Sequence, residues 1–206
     1  MKIMAFLSIS LLFLSCGYAM ADVTYQSDFG FRITLPTDWT IISCVDVKDK
    51  PDIIEAALGV AEKNNTFKDL PLELYNKLKE KLTRGEMEYY YRTKAPVFNI
   101  SVYQDAGTIA QPNEGEQAIC PSLSEELGKL STKPVSLFEC RFEQKGAVAT
   151  LYLVADAYRD NQRYVQYLVQ KSPNKVLLFT GSADSNEAFD MIKTEFDKIM
   201  KSLQLL

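Results

Sequence analysis

The sequence predicts an α+β domain built on an antiparallel sheet. Three observations carry that prediction. Strand-like segments in the second half follow one another through short turns; segments with apolar residues at helical spacing lie between and after them; no linker or internal repeat divides the 206 residues.

The first 21 residues read as a secretory signal outside that domain. Lys2 gives a positive start, Ile3 to Leu14 form an apolar run broken only by Ser8 and Ser10, and Ala19 and Ala21 make an A-x-A cleavage pattern. The run is shorter than the ~20 residues that span a bilayer as a helix. Cleavage after Ala21 is expected, leaving 185 residues that begin at Asp22. Cys16, between Ser15 and Gly17, offers the alternative of lipoprotein processing, although Phe13 stands where that motif prefers an aliphatic residue. Lipidation there would anchor the product to a membrane.

In the mature part, Val23-Thr24-Tyr25-Gln26 and Phe31-Arg32-Ile33-Thr34-Leu35 flank the turn Asp28-Phe29-Gly30. Phe31, Ile33 and Leu35 alternate with polar residues, giving a strand with one wet face that Pro36 ends. Trp39 to Ile42 is expected to pack back on the same core, before a strand-like stretch ending near Val47. Ile53, Ile54, Ala57, Leu58 and Ala61 predict a short helix after Pro51-Asp52, with Gly59 a costly interior residue. Asp69 as cap, Pro71 in the first turn and the stripe Leu70, Leu74, Leu78, Leu82 predict a second helix, ended by Arg84-Gly85. Strands follow over Glu88 to Arg92 and around Phe98, Ile100 and Val102.

Gly107 to Pro121 lacks periodicity and is expected to be a long loop. Ser122 and Glu125 form a capping-box pattern before Leu123, Leu127 and Leu130, a short helix. Val135 to Glu143 and Ala147 to Ala155 flank Gln144-Lys145-Gly146 as a hairpin. Tyr164 to Val169 and Lys175 to Thr180 flank Pro173-Asn174 in the same way. The closing helix has Asp184 and Glu187 as its capping box and Phe189, Ile192, Phe196, Ile199 and Leu203 on its core face.

Asp28-Phe29-Gly30-Phe31-Arg32-Ile33-Thr34-Leu35-Pro36 followed by Trp39, the hairpin at Lys145-Gly146, the Val176 to Thr180 strand and the closing helix together resemble the PsbP-like superfamily, including the bacterial DcrB-like envelope proteins. The resemblance implies, over residues 22–206, a single-domain α/β/α sandwich with a central mainly antiparallel sheet. It also implies accessory, assembly or binding roles. It transfers no functional residue, and the stretch between Asp105 and Thr132 reads as an elaboration of the basic plan.

Composition excludes several function classes. Without Lys2 the chain keeps 27 acidic and 22 basic residues, a net charge of -5, and no dense Lys/Arg patch. Nucleic acid is therefore not an expected partner. The chain has no histidine, which removes Ser-His-Asp and Cys-His catalysis and imidazole metal ligation. No cofactor, metal site or catalytic residue is expected.

Cys44, Cys120 and Cys140 remain after cleavage. Cys120 with Cys140 would close a loop worth ~3 kcal/mol in the chain-entropy model. The two pairings through Cys44, and three free thiols, stay open alternatives. With no histidine base or neighbouring cysteine, Cys120 is a poor candidate for thiol chemistry.

The candidate binding residues are of two kinds. Tyr89, Tyr90 and Tyr91 alternate along a strand and offer an exposed aromatic ridge, with half-buried packing as the competing reading. Asp156, Arg159, Asp160 and Arg163 follow a strand and offer a polar rim whose arginines suit a carboxylate or phosphate. Ordinary ion pairing in a hairpin turn is the competing reading there. Glu114, Glu116, Glu125 and Glu126 offer carboxylates for acid–base or calcium chemistry, against a solvated surface as the simpler expectation. Asn64 and Asn99 satisfy the glycosylation pattern, Asn99 within an expected strand.

The resulting expectation is an exported, non-enzymatic accessory protein, periplasmic or secreted, that binds an envelope protein or small ligand. A histidine-independent hydrolase using carboxylates or a metal is the alternative, and a secreted host-facing factor is a third reading.

Overall fold

The Asp28-Phe29-Gly30 turn joins β1 (Val23–Ser27) to β2 (Phe31–Leu35), and the chain register is set there. Gly30 adopts φ +73° and its N–H returns to Ser27 O at 3.0 Å, a left-handed conformation that costs glycine little. Phe31, Ile33 and Leu35 are buried, as their alternation requires. The last strand, β10 (Gln204–Leu205), adds to the other side of β2 and completes a three-stranded antiparallel sheet. The structure is a computed structural model that describes residues 22–43, 45, 72–92, 98–131, 134–145, 148–156, 162–183 and 185–206.

The larger sheet contains β3 (Trp39–Ile42), β4 (Met87–Arg92), β5 (Phe98–Ala106), β6 (Leu137–Lys145), β7 (Val148–Asp156), β8 (Arg163–Ser172) and β9 (Lys175–Ala183). Their spatial order is β3-β4-β5-β9-β8-β7-β6, with every neighbouring pair antiparallel. The last four strands form a meander, and its final strand β9 returns to pair with β5. The two halves of the sequence therefore meet in the middle of one sheet.

Four helices are described: α1 (Leu72–Thr83), α2 (Pro112–Ala118), α3 (Cys120–Ser131) and α4 (Asn186–Lys201). One sheet face carries Tyr90, Ile100, Val165 and Phe179, packed against Phe31 and Ile33 of β2 and Phe189, Ile192 and Phe196 of α4. The other carries Leu151, Leu153 and Val176 with Phe142, packed beneath Ile119, Leu123 and Leu127. The result is an α+β domain with helices on both sides of a mainly antiparallel sheet. Among the described residues, no helix is long and apolar enough to cross a membrane.

Local signals explain the boundaries. α1 ends where Gly85 takes φ +65°, with Gly85 N–H on Leu82 O at 3.0 Å and Glu86 N–H on Lys81 O at 2.8 Å. That pair of bonds is a Schellman motif, which satisfies carbonyls the helix would otherwise leave open. Three expectations need correction. The stretch 107–121 is not one long loop, because Pro112 starts the seven-residue α2, proline being well suited to a first turn. α3 starts at Cys120, and the Ser122 hydroxyl donates to Ile119 O at 3.1 Å instead of capping the helix. α4 is capped by Ser185, whose side chain accepts from Ala188 N–H at 3.2 Å. The expected helix over 53–61, the caps Asp69 and Pro71, and Asp184 lie outside the described residues.

Candidate functional site

A concave feature with convergent polar groups lies where β3, β4 and α4 meet. Trp39 opens β3 and stands opposite Arg92, the last residue of β4. Asp38 sits in the turn just before, so pairing at the sheet edge brings Asp38, Trp39 and Arg92 together. α4 crosses beside them. Its buried stripe of Phe189, Ile192, Phe196 and Ile199 faces the sheet, which leaves Asp190, Met191, Thr194, Glu195 and Lys198 along its flank.

Glu195 is the link. Trp39 Nε1 donates to Glu195 Oε1 at 2.7 Å, and Arg92 Nη1 lies 3.5 Å from Glu195 Oε2. Arg92 Nε donates to Asp38 Oδ2 at 2.6 Å. These charges are largely shielded from solvent, so their mutual attraction is stronger than that of surface pairs. At the groove mouth Lys198 Nζ lies 3.8 Å from Asp22 Oδ2. The groove has a volume of about 870 Å³ and Met191, 55% exposed, stands on its wall. Asp22, Asp38, Asp190 and Glu195 face Arg92 and Lys198, which leaves the lining with two more negative than positive charges.

Two further polar clusters flank the first. Glu88 of β4 is 0% exposed and accepts hydrogen bonds from Tyr25 (3.0 Å), Ser27 (3.0 Å) and Tyr90 (2.5 Å). Burial pushes its carboxyl above the ordinary glutamate range, the three hydroxyls oppose that shift, and Asp28 adds to it. It is sealed from solvent, so it braces the small sheet against β4 and has no access to a substrate. On the other side of α4, the Arg141 guanidinium lies 3.5 Å over the Tyr152 ring and pairs with Glu139 (3.0 Å) and Glu143 (2.6 Å). Lys193 also pairs with Glu139, and the Tyr167 hydroxyl donates to Asp197 at 2.7 Å. Burial and the neighbouring Asp197 hold both tyrosine hydroxyls protonated, so neither is primed as a base or nucleophile.

The residues singled out from the sequence fall in different places. Tyr89 (2% exposed) and Tyr90 (0%) pack into opposite faces of the sheet and Tyr91 is half-buried, so the competing packing reading, and not an exposed ridge, fits Tyr89 and Tyr90. Successive strand residues face opposite ways, and here both faces are covered. Asp156 Oδ2 accepts from Ser136 N–H at 2.9 Å, pinning the approach to β6. The Arg163 guanidinium sits 3.9 Å over the Phe138 ring. Asp156 and Arg163 are cross-strand partners, while Arg159 and Asp160 lie outside the described residues.

Glu125 and Glu126 both pair with Lys129 on the exposed face of α3, at 3.0 and 2.8 Å. Glu116 accepts the Phe142 N–H at 3.2 Å and so covers part of the β6 edge. Glu114 lies in α2. Among the described residues, no three Asp, Glu or Cys side chains are grouped to hold a metal. Cys120 and Cys140 are joined in a disulfide with Cα atoms 5.9 Å apart, so neither is a free thiol. Asn99 is buried and accepts from Ser182 Oγ at 2.8 Å, which shields it from modification. Cys16, Cys44, Asn64 and the Ala21 cleavage point lie outside the described residues.

No family model matches the chain, and no curated protein matches it significantly. Among solved structures, it is similar to the solution structure of cyanobacterial PsbP (CyanoP) from Synechocystis sp. PCC 6803. The likeness has a TM-score of 0.52 at 11% identity and covers 93% of this chain and 98% of that one. The fold is PsbP-like. The crystal structure of the Ran-binding protein Mog1p from Saccharomyces cerevisiae is more remote, with a TM-score of 0.45 at 9% identity over 91% of this chain and 96% of that one. On this PsbP-like fold the groove residues Arg92 and Glu195 were not singled out from the sequence. The sequence alone marks Trp39 only as core. The one signal pointing to them is a lone tryptophan at a strand start, since a buried indole N–H needs an acceptor.

Proposed function

We propose that this chain is an exported accessory protein that acts by binding a polypeptide segment in the groove between β3–β4 and α4. The observation that carries the reading is the groove itself: an acidic concave surface, rigidly braced by Trp39, Arg92 and Glu195, with the flexible thioether of Met191 on its wall. Its charge favours a basic residue in the ligand, and methionine accommodates an apolar neighbour of variable shape. The N-terminal segment supports an envelope or extracellular setting, as does the sequence resemblance to DcrB-like envelope proteins. The same setting suits the Cys120–Cys140 disulfide.

The carboxylates Asp38 and Glu195 converge on one arginine, an ion-paired arrangement that suits recognition better than acid–base catalysis. Titrating the protein with fluorescent peptides that pair an apolar residue with Lys or with Glu tests the reading. Binding is expected for the lysine peptides, weakening with salt and lost in Asp190→Lys with Met191→Lys, while Glu125→Lys on α3 leaves it intact. Equal binding of lysine and glutamate peptides, or none, overturns it. N-terminal sequencing and intact mass of the native protein separately test export, with a free Asp22 expected against a lipidated Cys16.

A further inference from the structure

A second surface lies at the far edge of the sheet, away from the groove. β6 is the outermost strand, paired with β7 on one side. The Phe142 N–H points away from β7 and is accepted by Glu116 of α2. Hydrogen-bonding direction alternates along an antiparallel strand, so the main-chain groups of Cys140 face outward as those of Phe142 do. α2 packs along this strand, and the Cys120–Cys140 disulfide ties the start of α3 to it. Only Ile119 separates α2 from α3, so the same bond holds α2 in place.

The regular part of β6 runs from the bulge between Leu137 and Glu139 to its end at Lys145. Its midpoint is Phe142, whose outward N–H and C=O are what a self-paired antiparallel strand needs at its centre. Pairing two copies about Phe142 places Arg141 of each copy opposite Glu143 of the other. A slip of two residues in one direction sets Glu139 against Glu143 and Arg141 against itself. A slip in the other sets Glu143 against itself. Opposite charges favour a cross-strand pair and like charges oppose it, so the charges favour the register centred on Phe142 over either two-residue slip.

We propose that β6 is an antiparallel pairing edge for a second copy of this chain, centred on Phe142 and kept shut by Glu116 and the Cys120–Cys140 disulfide. A dithiol opens the staple. Its thiolate attacks one sulfur of the disulfide, its second thiol resolves the mixed disulfide, and it departs as a cyclic disulfide while Cys120 and Cys140 each gain a proton. Freed of the staple, α2 lifts away and the outward groups of β6 pair with those of the second copy.

Sedimentation velocity on the native exported chain, with and without dithiothreitol, tests the proposal, with far-ultraviolet circular dichroism as the check on folding. The oxidised chain is expected to be monomeric and the reduced chain dimeric. Arg141→Glu should weaken the reduced dimer about tenfold, since two symmetric pairs turn repulsive, and adding Glu143→Arg should restore it. Glu116→Ala, with the disulfide intact, supplies an arm that does not depend on reduction: it uncovers the Phe142 N–H and should raise the dimer fraction. A folded reduced chain that stays monomeric, or a dimer indifferent to Arg141→Glu, overturns the proposal. If reduction unfolds the chain, an unchanged dimer fraction in Glu116→Ala does so.

Discussion

Trp39 Nε1 donates a 2.7 Å hydrogen bond to Glu195 Oε1 across 156 positions of sequence. The contact joins the first residue of β3 to the middle of α4, and the second oxygen of the same carboxylate faces Arg92. One glutamate thus satisfies a buried indole and a half-buried guanidinium. Truncating it takes one acceptor from the Trp39 indole and leaves Arg92 with Asp38, and a buried donor that loses an acceptor costs more than the bond itself contributed.

Glu195→Ala is accordingly expected to lower stability by about 1–3 kcal/mol, whereas Glu195→Gln, which keeps an acceptor for Trp39, should lose less. Urea denaturation gives both values. Trp39 is the sole tryptophan, so its fluorescence reports this site directly, and a red shift is expected in the alanine variant only. Equal losses in the two variants would show that the indole contributes nothing to the effect.

Glu88 makes stability depend on pH. Its folded carboxyl is raised above the ordinary value, chiefly by burial, so the folded state holds this proton more tightly than the unfolded chain. The resulting contribution is fully present below the unfolded pKa and is lost as pH rises through the folded one. Glu88→Gln removes that titration. The stability of the wild type relative to Glu88→Gln is therefore expected to fall as pH increases through the weakly acidic range. Urea midpoints for both proteins across that range measure the difference, and a wild type that gains on the glutamine variant with rising pH contradicts the assignment.

Gly181 lies in β9 directly beneath Phe196 of α4. A Cβ there would stand 2.9 Å from Phe196 Cδ1 and 3.2 Å from Val165 Cγ1. Alanine normally stabilises a strand relative to glycine by ~0.5–1 kcal/mol, but overpacking a filled core costs about 1–3 kcal/mol. The second effect wins, so Gly181→Ala is expected to destabilise. Thermal unfolding should show a lower Tm, and an unchanged or raised Tm would mean that α4 moves aside without strain.

The Cys120–Cys140 bond closes a 20-residue separation. Constraining the unfolded chain over that distance is worth about 3 kcal/mol. Reduction should lower the urea midpoint accordingly, and peptide mapping without reductant should recover these two cysteines as one linked fragment. Recovery of Cys44 in the linkage instead would reject this pairing.

Much of the architecture could be read from residue order, and the reasons are local. Alternation marked β2 and β5, because a strand with one covered face repeats every second residue, and the turns at Gln144-Lys145-Gly146 and Pro173-Asn174 marked the β6–β9 meander. The stripe from Phe189 to Ile199 marked α4, because 3.6-residue spacing lines one helix face. Boundaries were less legible where two local signals competed. Ser185 rather than Asp184 caps α4, and Pro112 begins a helix in a stretch whose glycine and prolines suggested a loop.

The candidate sites were mostly not legible. Tyr89 and Tyr90 looked available in sequence, since tyrosine suits both a core and a surface, and only the covering of both sheet faces decided for the core. Arg92 and Glu195 carried no signal of their own, because each is an ordinary charged residue until the β3–β4 pairing and the path of α4 bring them together. By itself the sequence determined the class of fold, its period-2 and period-3.6 elements, and the absence of any imidazole. Only the tertiary structure decided which polar residues converge, which cysteines pair and which strand α2 covers. Those outcomes depend on contacts between residues far apart in the chain, which local periodicity does not record.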